Sequence, residues 1–270
     1  MKLRFWGVRG SVPVPEEGYL GYGGNTPCLE VRVGETILII DAGTGIRKLG
    51  IQLQDEFAGG NMELNLLLSH FHWDHIQGLP FFPPLFSAAN RIIFYSCQPE
   101  EGLKKVLEDE MSHPHFPVDF DLLAAKRDFV NISKSPLRRD GLRVETFPLN
   151  HPQDAAGYRI EAHGIVITHA SDFEHGDPEL DKTLREYAKD ADVLIYDAQY
   201  TPAEYEAKKG WGHSTWLEAT RVARDCNVKR LILFHHDPEH DDNQMRQIVS
   251  EARRHFQNTD AATEGLDIIF

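Results

Sequence analysis

Within Ser69-His70-Phe71-His72-Trp73-Asp74-His75, three imidazoles and one carboxylate fall inside six residues, directly after the apolar run Leu64 to Leu68. A short, mostly apolar run of that length reads as a buried strand. The polar cluster therefore sits where a strand ends and the backbone turns. Such a turn can aim His70 and His72 at one ion while Asp74 and His75 reach a neighbouring one. Imidazole and carboxylate are ligands that zinc, manganese and iron accept. Surface histidines in a polar loop, or core histidines bonded to backbone, are the ordinary alternatives, but neither requires four potential ligands to be packed together behind a buried strand.

The rest of the chain supplies strand ends of the same kind. Leu3 to Trp6 reads as a first strand, and Leu29 to Val33 with Thr36 to Ile40 as a hairpin about Gly34-Glu35. The Gly- and Pro-rich stretch Gly7 to Gly24 must loop. Helical spacing of Ile46, Leu49 and Leu53 predicts a helix over Ile46 to Phe57. Further strands are expected at Arg91 to Tyr95, Leu142 to Phe147, Gly157 to Ala162, Ile165 to His169, Val193 to Tyr196 and Arg230 to Phe234. Helices are expected at Glu100 to Met111, Pro178 to Lys189, Ser214 to Cys226 and Asp242 to Phe256. No repeat, low-complexity tract or linker interrupts this β-then-α rhythm.

A chain of 270 residues, 41% hydrophobic, can bury one substantial core, so a single domain spanning 1–270 is the expectation. The formal charge of −14 disfavours a long nucleic acid, whose binding depends on lysine and arginine neutralising phosphates. Cys28, Cys97 and Cys226 are an odd, unpaired set, which fits a reducing cytosol better than a disulfide framework. The opening Met-Lys-Leu-Arg-Phe-Trp-Gly lacks the apolar run of a signal peptide, and no apolar stretch is long enough to span a bilayer. A cytoplasmic protein without a membrane partner is expected. A homodimer is compatible with the sequence, which carries no signal for subunit number.

The His-x-His-x-Asp-His run resembles the signature of the metallo-β-lactamase superfamily, whose members carry it after a strand of an αββα sandwich. That resemblance implies an α/β (α+β) fold of four layers. It also implies the remaining ligands: His151 in Pro148-Leu149-Asn150-His151, Asp172 in His169-Ala170-Ser171-Asp172, and His235 in Leu231-Ile232-Leu233-Phe234-His235, with the adjacent His236 able to exchange roles with His235. The implied cofactors are two divalent ions, zinc foremost and manganese or iron as alternatives. One would be held by His70, His72, His151 and Asp172, the other by Asp74, His75, His235 and the shared Asp172.

Two further segments, Leu194-Ile195-Tyr196-Asp197-Ala198 and Gly212-His213-Ser214-Thr215, look like paired motifs of the phosphodiesterase branch that includes ribonuclease Z. The branch usually reads His-Glu-Ala-Thr at the first; here tyrosine and aspartate stand at 196 and 197. Gly7 to Pro13, Gly23 to Thr26 and Asp41 to Gly45 also look like the opening loops of that branch. The resemblance implies that His213 is a general acid oriented by Asp197, with Asp74 accepting a proton from water.

The expected activity is hydrolysis of a small phosphodiester such as a cyclic nucleotide. A tRNA 3′-processing endonuclease of the ribonuclease Z kind is the near alternative. It would need a basic flexible arm, and Lys126 to Arg139 is short and mixed with apolar residues. Hydrolysis of a lactone or other ester is a further alternative, as is a non-catalytic sensor, against which the complete ligand set argues. The aromatic stretch Pro80 to Phe86 could stack on a nucleobase, though a core or interface patch is the commoner origin. His113 and His115 read as loop residues.

Overall fold

Apolar residues on both faces of a strand call for cover on both sides, and the chain meets that demand with two sheets between outer helices. The computed structural model describes residues 1–58 and 60–270. The first sheet is built from β1 (Lys2–Gly7), β2 (Cys28–Val33), β3 (Thr36–Ile40), β4 (Glu63–Leu67), β5 (Arg91–Ser96) and β6 (Lys126–Asn131). The second holds β7 (Leu137–Arg139), β8 (Leu142–Leu149), β9 (Ala155–Ala162), β10 (Ile165–Ala170), β11 (Val193–Asp197), β12 (Arg230–Phe234) and β13 (Thr259–Ala261). The chain then returns to the first sheet as β14 (Asp267–Ile269), beside β1.

Helix α1 (Ile46–Phe57), the single turn α2 (Trp73–Ile76) and α3 (Glu100–Glu110) belong to the first half. Helices α4 (Pro178–Ala188), α5 (Pro202–Tyr205), α6 (Trp216–Asp225) and α7 (Asp242–His255) belong to the second. Side chains such as Leu38, Leu67, Val144, Ile167, Ile195 and Ile232 form the seam between the sheets. The alternate residues of the same strands face the other way, Ile39 and Leu66 against α1 and α3, Leu194 and Leu233 against α4, α6 and α7. Four layers, αββα, result. Among the described residues no helix is long and apolar enough to cross a membrane.

Strand direction decides where chemistry can gather. β3, β4, β5 and β6 are parallel, as are β10, β11, β12 and β13. β8 pairs antiparallel with β9, and β9 with β10, so β8 runs the same way as β10. The C-terminal ends of β3 and β4 thus share one edge of the first sheet, and those of β8, β10, β11 and β12 share one edge of the second.

The expected helices and long strands are present, with ends shifted by a residue or two. Four strands were not anticipated: β6, β7, β13 and β14. Each lies at or near a sheet edge, three of them are only three residues long, and β6 reads Lys-Arg-Asp-Phe-Val-Asn. Edge strands carry charge that blunts further pairing, and this erases the alternation by which strands are recognised. The basic stretch Lys126 to Arg139 is thereby drawn into the sheets. Arg127 donates to the carbonyls of Phe120 and Leu123, and Arg139 pairs with Glu63. The loop from Gly7 to Gly24 is fastened by Arg9, fully buried, which donates to the carbonyls of Gly23, Asp237 and His240.

Candidate metal centre

Buried strands end in residues that cannot continue the ladder, and here those residues are the ligand types. β4 leads into His70, β8 into His151, β10 into Asp172 and β12 into His235. Asp172 and His235 take the left-handed conformation, φ 60° each. That conformation is costly for residues with a Cβ and recurs where local strain serves a site. It turns both side chains out of their strands toward the histidine run.

Two groups of donors come together. One atom each from His70, His72, His151 and Asp172 lie within 4.8 Å of one another, as do atoms from Asp74, His75, Asp172 and His235. Asp172 serves both groups with different oxygens. Its Oδ2 stands 3.5 Å from His70 Nε2 and 3.7 Å from His151 Nε2. Its Oδ1 stands 3.2 Å from His75 Nε2 and 3.3 Å from His235 Nε2. Asp74 Oδ2 lies 3.4 Å from His75 Nε2 and 3.1 Å from His235 Nε2. His72 approaches through Nδ1, 3.1 Å from His151 Nε2.

These spacings suit a metal. A tetrahedral ion with ligands at roughly 2.0–2.2 Å sets its donors about 3.3–3.6 Å apart. His70 Nε2 and His75 Nε2 are buried with no hydrogen-bond partner among the described residues, which is costly unless something else takes their lone pairs. Asp74 and Asp172 are buried, and among the described residues the only cationic side chains beside them are histidines. Without ions, burial would raise His75's deprotonated fraction, but Asp172, Asp74 and Asp41 outweigh it and hold its pKa well above the usual value. The carboxylates are thus drawing a proton where a cation would serve.

The outward nitrogens of the imidazoles are pinned, which fixes ring orientation. His75 Nδ1 meets Asp41 Oδ2 at 2.8 Å, His151 Nδ1 the carbonyl of Gly212 at 2.8 Å, and His235 Nδ1 Gln199 Oε1 at 2.9 Å. His70 Nδ1 meets Ser69 Oγ at 3.1 Å, and His72 Nε2 meets Gln153 Oε1 at 3.2 Å. Asp41 also accepts from the backbone and hydroxyl of Ser69. Asp74 accepts from the backbone N–H of Ser11 at 2.8 Å, which brings the glycine-rich N-terminal loop to the site. Sequence reasoning missed the roles of Asp41, Gln199 and Ser11. Asp41 did carry a signal, since it is a polar residue directly after the buried strand β3; in the structure it shares the left-handed conformation of Asp172, φ 62°.

His236, the neighbour weighed against His235, is fully buried and turned away, its Nε2 donating to the carbonyl of Ala262 at 2.8 Å. His213 and Asp197 meet at 2.8 Å, Nδ1 to Oδ2, despite the shorter acidic side chain. Asp197 also accepts from the backbone N–H groups of Asp172, Gln199 and Ser214. Burial pushes the His213 imidazolium down, but the charge and hydrogen bond of Asp197, with Asp172 and Asp74 behind it, raise it to about 9. Its ring stacks on that of His235 at 4.8 Å and lines a cleft of about 460 Å³ with Ser11, His72, Trp73, Asp74 and Asp172.

A zinc, manganese or iron pair would suit this donor set of imidazoles and carboxylates around one shared aspartate. Residues 36–236 match the model of the Beta-lactamase superfamily domain, and the chain belongs to the metallo-β-lactamase superfamily, in its ribonuclease Z-like branch. It is 27% identical over 306 aligned positions to ribonuclease Z of Picrophilus torridus, an alignment covering 98% of this chain and 94% of that protein. Among solved structures it resembles the metallo-beta-lactamase fold protein YhfI from Bacillus subtilis, with TM-score 0.74, 18% identity and coverage of 99% and 98% of the two chains. A diphosphatase from the PhnP family aligns with TM-score 0.73 and 18% identity, covering 100% of this chain and 97% of that one.

Proposed function

We propose that this chain is a two-metal phosphodiesterase acting on a small phosphodiester such as a cyclic nucleotide. The observation that carries this reading is the His213–Asp197 pair, with His213 on the wall of the cleft beside the two donor groups and Asp197 buried behind it. His70, His72, His151 and Asp172 would hold one ion, and Asp74, His75, His235 and Asp172 the other. Bound there, two divalent ions, zinc first among them, supply positive charge that polarises a phosphoryl group and acidifies water.

The chain's own residues handle the protons. Asp74, a ligand on the cleft wall, is placed to accept a proton from the attacking water. Asp197 accepts a hydrogen bond from Nδ1–H of His213, which leaves Nε2–H free toward the cleft, where it can protonate the departing alkoxide. An imidazolium favoured by its aspartate is the form such an acid needs.

Replacing His213 with alanine tests this. Turnover of a cyclic or linear phosphodiester is expected to fall by a factor on the order of 10²–10⁴, the usual contribution of a positioned acid, with the metal content of the purified protein unchanged. Undiminished turnover would remove His213 from the mechanism.

A second reading, tRNA 3′-end processing, is favoured by the relatives named ribonuclease Z. Against it stand the net charge of −14 and the internal engagement of Arg127 and Arg139. Cleavage of a tRNA precursor at rates exceeding those on small diesters would select it.

A further inference from the structure

The cleft at the ligand groups does not end at the histidines. Two of its walls, Phe71 and Trp73, also line a second cavity of about 460 Å³, completed by Ile76, Val106, Glu110 and His115. The two spaces are neighbours joined by aromatic surface. Phe71 is half-buried and rests on the core beneath the first sheet, so it forms a fixed floor. Trp73 opens helix α2 between His72 and Asp74, and its indole is 77% exposed. An indole has a large apolar face and gains by covering it.

Chemistry at the far end of this second cavity differs from that at the first. Asp109 is paired with Lys105 one turn back on α3. Glu110, half-buried, has no ion-pair or hydrogen-bond partner among the described residues. Burial pushes its carboxyl up from the usual carboxylate range, and His115 offsets only part of that. A carboxylate in this position repels phosphate and accepts N–H donors. Phosphate is thus drawn to the ligand groups, and the second cavity offers an aromatic face with an acceptor at its edge.

We infer that the cavity between Trp73 and Glu110 is a base subsite, selective for guanine, that seats the nucleobase of the phosphodiester hydrolysed next door. This rests on the phosphodiesterase reading for the position of the phosphate. The base stacks on Trp73, a contact any nucleobase can make. Selection comes from Glu110. Guanine presents N1–H and N2–H side by side to a carboxylate's two oxygens, whereas adenine and cytosine each present one amino group beside a ring acceptor.

Binding measured by calorimetry on the metal-loaded protein tests the subsite without requiring turnover, with guanosine 5′-monophosphate, adenosine 5′-monophosphate and ribose 5-phosphate as probes. The guanine nucleotide should bind roughly ten-fold or more tightly than ribose 5-phosphate, the scale of one base-stacking contact plus hydrogen bonds. Trp73→Ala should close the gap between either nucleotide and ribose 5-phosphate, and Trp73→Phe should keep most of it. Glu110→Gln should bring guanine and adenine nucleotides within about two-fold of each other, since an amide cannot accept both donors. Equal binding of all three probes by the wild-type protein, or a base gap that survives in Trp73→Ala, would overturn the inference. A base gap with no diester turnover would instead overturn the phosphodiesterase reading and leave the subsite standing.

Discussion

Close contact, more than charge, explains why certain residues around the His and Asp cluster are the size they are. A Cβ built on Gly10 would stand 2.4 Å from His235 Nδ1 and 2.5 Å from its Cε1, far inside van der Waals contact. His235 cannot retreat easily, because its Nδ1 is held by Gln199 and its ring is stacked between those of His75 and His213. Gly10→Ala is therefore expected to displace the imidazole and weaken the ion that His75, Asp74 and His235 would hold. Metal analysis of the purified variant should give close to one ion per chain in place of two. Two tightly held ions in Gly10→Ala would show that His235 is not a required ligand.

At the scale of elements, the segment between β11 and α6 depends on one carboxylate. Glu174 accepts from the backbone N–H groups of Gly210 and Gly212, each at 2.7 Å, and from the hydroxyl of Tyr205 at 3.0 Å. Gly212 in turn offers its carbonyl to His151, so the aim of that imidazole rests on Glu174. Glu174→Ala leaves the two backbone donors without a partner, at about 1–3 kcal/mol for each that water cannot reach, while the Tyr205 hydroxyl keeps the carbonyl of His175. Faster amide exchange over residues 206–213, together with weaker metal binding, is expected. Unchanged exchange there would mean that α5, with its Thr201–Glu204 capping box, holds the segment without help.

Local pattern made the strong elements and the strand ends that carry His and Asp readable in the sequence, because a buried strand followed within three residues by His or Asp is a short-range signal. The strands β6, β7, β13 and β14 were not readable. For β6, β13 and β14 the pairing is set by neighbours distant in the chain, as where Asp267–Ile269 lies against Lys2–Arg4, while β7 pairs with the adjacent β8 but is only three residues long and carries two arginines. The same holds for the outer partners of the clustered His and Asp residues. Gln199 meets His235, and Ser11 meets Asp74, across separations that no window of sequence spans. Glu174 gave no hint of its role, since it is defined by where Gly210 and Gly212 come to rest.

On the scale of the whole molecule, the seam between the sheets carries a polar group that ties folding to pH. His169 on β10 is fully buried against Tyr158 and Phe234, and among the described residues neither ring nitrogen has a partner. Burial pulls its pKa down from 6.5 to about 4. The folded protein thus keeps it neutral, while an unfolded chain takes up a proton below about 6.5. Stability should fall as pH drops through the window from about 6.5 to about 4, and between pH 7 and 5 this one residue should account for roughly 2 kcal/mol. Urea unfolding of wild type and His169→Leu at both values checks this. The variant should lose that much of the pH dependence, and identical slopes would exclude His169 as its source.

The two sheets meet along an edge where seven ligand-type side chains from distant parts of the chain converge, and the proposed activity requires two ions bound there. Its most direct test is to strip the protein of metal and return zinc or manganese in measured equivalents while following hydrolysis of a cyclic nucleotide. Turnover is predicted to be negligible at zero equivalents and to reach its plateau as the second equivalent per chain binds. A plateau at one equivalent, or no turnover of any phosphodiester with two ions bound, would contradict it.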